Sequence, residues 1–183
     1  RVNPIMQTCI GPSEEHVSMA GIPTEASILD MVERAMPGRV QNVYAHSSGG
    51  GKFIAVIQFK KTVPSDEGRQ RQAALLAFSA FPELKQVILV DEDVDIFDTN
   101  DVLWAMTTRM QADVDIVTIP GVRCHPLDPS NDPACSWSIR DHGIACKTIY
   151  DATVPFNQKA RFQRAKFMEV DVKKFLPDFT VQD

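Results

Sequence analysis

No run of apolar residues in the sequence approaches the roughly 20 that a helix needs to cross a bilayer. No segment has the basic, apolar and small-residue order of a signal peptide. Cysteine is scarce. The four cysteines, at positions 9, 124, 135 and 146, are too few and too scattered for a disulfide framework. We therefore expect no membrane span, and we predict a reducing, cytoplasmic location.

Basic residues are also fewer than acidic residues in this chain. The chain has 19 lysines and arginines against 24 aspartates and glutamates, which gives a net charge of −5. General binders of nucleic acids or anionic membranes need a basic face. The composition therefore argues against a nucleic acid as partner.

The apolar content is sufficient for one ordinary domain. Of the 183 residues, 44% are hydrophobic, so a single domain over 1–183 can bury a core without disulfides or metals. The sequence contains no internal repeat. It begins at Arg1 rather than at an initiator methionine, and we expect the chain to be a piece of a longer polypeptide.

Apolar periodicity and turn residues predict alternating helices and strands. Thr24 is predicted to cap the first helix, and Ile28, Leu29, Val32 and Met36 to form its buried face. The predicted elements are helices at 24–36, 65–80 and from 99 onward, and strands at 40–45, 52–59, 86–90, 115–119 and 145–150.

The order of these elements predicts an α/β fold. Strand 86–90 is almost wholly apolar, which is typical of a strand covered on both faces. We expect three α/β/α layers around a central mixed, partly parallel sheet. The proline-rich stretch 120–155 is predicted to be a long functional or interface loop, and 157–183, with its aromatic residues, a docking tail.

The densest charged feature is an acidic run that follows strand 86–90. Carboxylates at the carboxyl end of a parallel strand lie where open α/β sheets bind ligands, and Mg²⁺ prefers oxygen donors. The favoured interpretation is simpler: Asp98 or Thr99 caps the next helix, Asp101 lies in its first turn, and the other carboxylates are solvated. The run comprises Asp91, Glu92, Asp93, Asp95, Asp98 and Asp101.

Two other patterns are weak. The segment 48–52 resembles a phosphate-binding loop, but His46 and Phe53 stand where such a loop requires Gly and Ser or Thr, so we predict a hairpin turn. A zinc site is disfavoured because the possible ligands lack closely spaced pairs. These are Cys124, His125, Cys135, His142 and Cys146. We assign no metal ligand and no catalytic residue to this chain.

Lys147 is the strongest candidate for a binding residue. It lies in a predicted strand between apolar residues, and a partly buried ammonium needs an anion. A phosphate or carboxylate of a ligand could supply that charge, and so could a neighbouring Asp. Both interpretations stay open.

Several motifs together resemble the C-terminal part of the UbiD family, the prenylated-FMN-dependent decarboxylases. The resemblance covers nearly the whole chain. The segments 11–15, 87–95 and 99–109 are similar to the family's Gly-x-x-[Asp/Glu]-Glu, acidic strand-end and Asp-Val-Leu-Trp-Ala motifs. The segment 147–153 is similar to its Lys-x-x-x-Asp-Ala motif, and 123–130 and 140–146 resemble the branch that acts on gallate or protocatechuate.

The resemblance implies a non-oxidative, reversible decarboxylase in which the prenylated flavin performs the difficult chemistry. In this family the catalytic network, the metal ligands and most of the flavin pocket lie in an N-terminal split-barrel domain, and no position here matches them. We therefore expect this chain to supply one wall of the active site and the contacts of a homo-oligomer. A divalent metal, and possibly K⁺, would be bound outside it. Of the cofactor contacts, only the flavin-phosphate lysine carries over, to Lys147.

Three alternative functions are also consistent with the sequence. The full-length enzyme could instead decarboxylate polyprenyl-4-hydroxybenzoate in ubiquinone biosynthesis. The chain could act by itself as a non-catalytic oligomerisation module. It could also be a free-standing metal or nucleotide protein that uses the acidic run.

Overall fold

The structure is a computed structural model, and it describes residues 14–123, 125, 128, 130, 144–165 and 172–175. Five helices and five strands lie within these residues. The helices are α1 (Glu14–Ala35), α2 (Arg69–Ala80), α3 (Thr99–Arg109), α4 (Ala112–Asp115) and α5 (Val172–Phe175). The strands are β1 (Val40–Ala45), β2 (Ile54–Phe59), β3 (Gln86–Val90), β4 (Ile116–Arg123) and β5 (Ile144–Ala152).

The strands form one mixed sheet in the order β1-β2-β3-β5-β4. The three central strands, β2, β3 and β5, run parallel. The edge strands β1 and β4 pair antiparallel with β2 and β5. The predicted mixed, partly parallel sheet is therefore confirmed.

Each face of the sheet has its own apolar core. Side chains alternate along a strand, so Val87 and Leu89 of β3 pack with α1 and α2, whereas Ile88 and Val90 pack with α3. The apolar sequence of β3 is explained by this double coverage, and the three predicted layers are confirmed. No helix in the described part of the chain is long and apolar enough to cross a membrane.

The first helix begins earlier than predicted. It starts at Glu14 and contains Pro23, so the prediction that Thr24 caps it is wrong. Thr24 is fully buried, and its hydroxyl donates to the carbonyl oxygen of Ala20 at 2.6 Å, a contact that lets threonine lie inside a helix. The prediction that Leu29 lies on the buried face of this helix is also wrong, because Leu29 is 38% exposed.

The loop after β3 determines where the charged residues lie. It packs Val94 and Ile96 into the core beneath α3. Thr99, the first residue of α3, contacts His46 (Oγ1 to Nε2, 2.8 Å), which lies beside the β1–β2 turn at the edge where β3 begins. Arg109, the last residue of α3, contacts Asp91 at the edge where β3 ends. Because α3 therefore runs in the direction of β3, the following strand β4 must return antiparallel.

Asp66 supplies a testable pH dependence. Burial alone would raise the pKa of this carboxyl, but hydrogen bonds from the N–H groups of Thr62 and Val63 and the ion pair with Arg39 outweigh it and lower the pKa to about 2. The ordinary value is 3.8. Because the folded pKa is the lower one, the stabilisation is present above about pH 4 and is lost as the pH falls towards 2.

We expect Asp66→Asn to remove about 1–2 kcal/mol of unfolding free energy at pH 7 and almost none at pH 2. Urea denaturation of the chain at several pH values measures this difference. The matched control is Asp30→Asn, because Asp30 lies in an exposed pair with Arg34. A deficit in Asp66→Asn that stays constant between pH 7 and 2 would contradict the prediction.

Candidate functional site

The acidic run begins where β3 ends, at the carboxyl edge of the parallel strands. Asp91 is 4% exposed, and its Oδ2 accepts a hydrogen bond from the N–H of Val154, just after β5, at 2.7 Å. The carboxylate thus joins the ends of two neighbouring strands. Burial raises the pKa of Asp91, although the Val154 N–H and the charges of Lys159 and Arg109 oppose that effect.

Arg109, at the end of α3, pairs with two of these carboxylates. Its Nη1 donates to Asp91 Oδ2 at 3.1 Å and to Asp93 Oδ1 at 2.8 Å, and its Nη2 donates to Asp93 Oδ2 at 2.6 Å. The side chain is 1% exposed. Burial tends to raise the pKa of Asp93, but the hydrogen bonds and charges of Arg109 and Arg164 lower it below the ordinary value.

Two further cations come from the segment that follows β5. Lys159 Nζ lies 3.0 Å from Glu92 Oε2, and Arg164 Nη2 lies 2.8 Å from Asp101 Oδ1. The Arg164 guanidinium also stacks on Trp104, 4.3 Å from the ring centroid. The acidic run therefore attaches residues 159–164 to the sheet. Much of the predicted docking tail 157–183 lies outside the described residues, so the tail as a whole stays a prediction.

The simpler interpretation of the acidic run is confirmed only at its helix end. Asp98 caps α3 by accepting from the N–H of Asn100 at 2.9 Å, and Asp101 lies in the first turn. The expectation that the other carboxylates are solvated is wrong for Asp91, which is buried and pairs with Arg109, whereas Asp93 pairs with Arg109 and stays exposed. Among the described residues, no group of three His, Cys, Asp or Glu side chains could hold a metal ion.

A cavity of about 410 Å³ opens beside this ion-pair cluster. Its lining combines the acidic side chains of Asp91, Glu92 and Asp93 with those of Lys159 and Arg164. Such a volume is typical of sites for small molecules.

Lys147 lies at the opposite edge of the sheet, near the start of β5. It is 7% exposed, and its Nζ donates to the carbonyl oxygen of Pro82 at 2.7 Å. The ammonium lies 5.0 Å from the centroid of the Phe78 ring. A carbonyl oxygen and an aromatic face both stabilise a buried cation.

Further charged side chains surround Lys147. His125 Nε2 lies 3.0 Å from Glu83 Oε1, and Lys85 Nζ lies 2.8 Å from Asp128 Oδ2. Burial, aided by the charge of Lys52, lowers the pKa of His125 although Glu83 opposes this. A space of about 10 Å³ is lined by Lys147 and Arg123 together with His125, Glu83, Lys85 and Asp128.

This edge carries cationic donors for an anion, but two of them already pair with carboxylates and the open space is small. Lysine, arginine and histidine side chains are suitable donors to a flavin phosphate. A space of about 10 Å³ holds one water molecule at most. A phosphate would therefore reach Lys147 only if neighbouring side chains such as Lys85 or Arg123 moved.

The glycine-rich segment after β1 is the predicted hairpin turn. Ser47–Gly49 form a short 3₁₀ turn, and Gly50 and Gly51 have φ angles of 64° and 68°. A Cβ at Gly49 would lie 2.5 Å from Ile54 Cγ2, so no larger residue fits without movement. Lys52 pairs with Glu83 at 3.5 Å.

Several predicted features lie outside the described residues. They include Cys9, Cys124, Cys135, His142 and residues 131–143 of the proline-rich stretch. Of the possible zinc ligands, the structure places His125 beside Glu83 and leaves Cys146 as a free, exposed thiol.

Sequence reasoning missed the cations that pair with the acidic run. Arg109, Lys159 and Arg164 lie 16 to 71 positions from the carboxylates with which they pair, and local motifs do not reveal pairs that distant. The available signal was the number of carboxylates after a buried strand, because buried carboxylates need cations.

The fold and its two charged edges define an α/β domain of the kind that places ligands at the ends of its strands. The model of the 3-octaprenyl-4-hydroxybenzoate carboxy-lyase C-terminal domain matches residues 17–152. The chain therefore belongs to the UbiD family, to which its sequence motifs pointed.

Known proteins of this family are similar over most of the chain. The gallate decarboxylase of Lactiplantibacillus plantarum is 62% identical over 178 residues, which is 96% of this chain and 36% of that protein. The apo 3,4-dihydroxybenzoic acid decarboxylase of Enterobacter cloacae is 63% identical, with a TM-score of 0.81, over 91% of this chain and 34% of that one.

A third relative has been solved with a flavin. The UbiD-class enzyme HmfF from Pelotomaculum thermopropionicum, in complex with FMN, is 34% identical, with a TM-score of 0.76, over 91% of this chain and 35% of that one. The chain thus spans about a third of the length of the relatives it matches.

Proposed function

We propose that the chain is the C-terminal part of a non-oxidative, reversible decarboxylase of hydroxylated benzoates such as gallate or protocatechuate. The observation that carries this proposal is the 62% identity to gallate decarboxylase across 96% of the chain. A 3,4-dihydroxybenzoic acid decarboxylase is similarly close, with 63% identity over 91% of the chain. The names of these relatives give gallate as the acid in one case and 3,4-dihydroxybenzoic acid in the other.

In this proposal the chain cooperates with a catalytic N-terminal domain of the same polypeptide. The relatives are about three times as long as this chain, which supports such a domain. The chain would form one wall of the active site and the contacts of a homo-oligomer. The exposed apolar side chains of Leu103 and Trp104 on α3 are compatible with such contacts. The cytoplasmic location is part of the same proposal.

The cofactor of the proposed enzyme is prenylated FMN. It would supply the electron sink for the electrons that remain when CO₂ leaves the substrate. The flavin in the HmfF complex supports this assignment. Within this chain, the residue proposed to bind the flavin phosphate is Lys147, which would donate from its ammonium after the neighbouring side chains had moved.

The test is CO₂ release by the full-length protein loaded with prenylated FMN. We expect release from gallate or protocatechuate and none from the 183-residue chain alone. Release only from a polyprenyl-4-hydroxybenzoate would favour the substrate that the matched family model names. No release from any of these acids would favour a non-catalytic module, and release by the isolated chain would contradict the proposed division of labour.

A further inference from the structure

The amino edge of the sheet holds a buried carboxylate that the protein itself supplies. Asp128 is 6% exposed, and its Oδ2 lies 2.8 Å from Lys85 Nζ. Its Oδ1 accepts from the N–H of Ser130 at 3.0 Å and from the Ser130 hydroxyl at 2.8 Å. Burial tends to raise the pKa of Asp128, but the hydrogen bonds from Lys85 and Ser130 lower it below its ordinary value. The side chain is therefore an anion at neutral pH.

This carboxylate lies among the donors that an anionic ligand would need. Asp128 lines the space of about 10 Å³ together with Lys85, Arg123, His125 and Lys147. A carboxylate and a phosphate offer the same kind of charged oxygen acceptors to ammonium and guanidinium donors. The space holds one water molecule at most, and two anions so close together would repel each other. A flavin phosphate and the Asp128 carboxylate are therefore alternative occupants of this edge.

Two ion pairs hold the turn that carries Asp128 in place. The N–H of Asp128 donates to the carbonyl oxygen of His125 at 3.0 Å, so the two residues belong to one turn. The first pair joins His125 to Glu83 at 3.0 Å, and the second joins Asp128 to Lys85. The side chains of Glu83 and Lys85 are 24% and 27% exposed, so water can replace their partners. Such pairs are weaker than fully buried ones, and a ligand can compete with them.

We propose that Asp128 occupies the flavin-phosphate site in the flavin-free protein, and that the phosphate displaces its carboxylate from Lys85. The identity of the anion rests on the proposed function, whereas the competition rests on the contacts of Asp128. The phosphate binds only to those molecules in which the carboxylate has left, so Asp128 lowers the apparent affinity for the flavin. Lys85, once released, becomes a second donor to the phosphate beside Lys147.

The test compares FMN with riboflavin, which lacks the phosphate, in fluorescence titrations of the flavin-free full-length protein. The measured quantity is the ratio of the FMN affinity to the riboflavin affinity. Asp128→Asn removes the charge but keeps an oxygen that accepts from Ser130, so the turn can still form. We expect this variant to raise the ratio about tenfold, as for a carboxylate that occupies the site in about nine of ten flavin-free molecules.

Asp113→Asn is the matched control, because it makes the same change in net charge at an exposed residue of α4. Its ratio should equal that of the unchanged protein. A ratio that Asp128→Asn leaves unchanged or lowers would overturn the proposal. If Asp128→Asn no longer binds riboflavin, Ser130→Ala decides instead, because it removes only a hydroxyl that holds the carboxylate. It should raise the ratio about two- to threefold, and an unchanged or lower ratio would again overturn the proposal.

These titrations also separate the proposal from the proposed function. They require no prenylated cofactor, no aromatic acid and no turnover, so their result does not depend on whether CO₂ is released. A protein that releases CO₂ while Asp128→Asn leaves the ratio unchanged would retain its proposed function and lose the competition by Asp128. A raised ratio in a protein that releases no CO₂ would have the opposite meaning.

Discussion

Arg109→Gln is expected to lower the free energy of unfolding by about 3–5 kcal/mol, because it leaves the buried carboxylate of Asp91 without the cation that it pairs with. Arg109 is 1% exposed at its side chain and contacts Asp91 and Asp93 within 3.1 Å. Asp91 in turn joins the end of β3 to the chain after β5. We therefore expect the destabilisation to affect the sheet as well as α3. Urea denaturation at pH 7 measures the free energy of unfolding.

Two control variants make this result specific. Arg34→Gln removes an exposed pair with Asp30, and should change stability by no more than about 0.5 kcal/mol. Arg109→Lys retains the charge but not the forked geometry, and should fall between the two. If Arg109→Gln cost no more than Arg34→Gln, the ion-pair cluster would not stabilise the carboxyl edge.

Lys147→Met is expected to lower the flavin affinity of the full-length protein about 10- to 100-fold, the effect of removing a charged hydrogen bond. Methionine is unbranched and of similar length, so the change mainly removes the ammonium. The flavin content after purification, read from the absorption spectrum, gives the first measurement. Titration of the flavin-free protein with FMN gives the affinity.

The control is Lys60→Met, because Lys60 is exposed at the end of β2. It should retain as much flavin as the unchanged protein. Denaturation of both variants shows whether Lys147→Met also weakens folding through its lost bond to Pro82. Normal flavin affinity in Lys147→Met would refute the proposed phosphate contact. It would leave Lys147 with a structural role at the amino edge of the sheet.

Local patterns in the sequence predicted most of the elements. The boundaries of β1 and β3 are confirmed, because residues typical of turns lie on both sides of each segment. The start of α1 was not predictable in the same way. Pro23 and Thr24 are typical of a helix start, and only the packing of the preceding turns shows that the helix continues through them.

The position of β5 in the sheet was not predictable from local pattern. It inserts between β3 and β4 although β4 precedes it in the chain. Strand order depends on which faces bury the most apolar surface, and that is a property of the whole fold. The surroundings of Lys147 show the same division, because its burial was predictable from its apolar neighbours, whereas its contacts with Pro82 and Phe78 were not.

The sequence by itself determined the family, the α/β class and the identity of the charged residues, because motifs, periodicity and composition are local properties of the chain. Only the tertiary structure decided which charges meet. Asp91 pairs with a helix end and approaches Lys159 of the segment after β5, and Lys147 lies at the opposite edge of the sheet. The physical reason is that an ion pair requires two groups within a few ångströms, and that separation is set by the packing of the sheet and its helices.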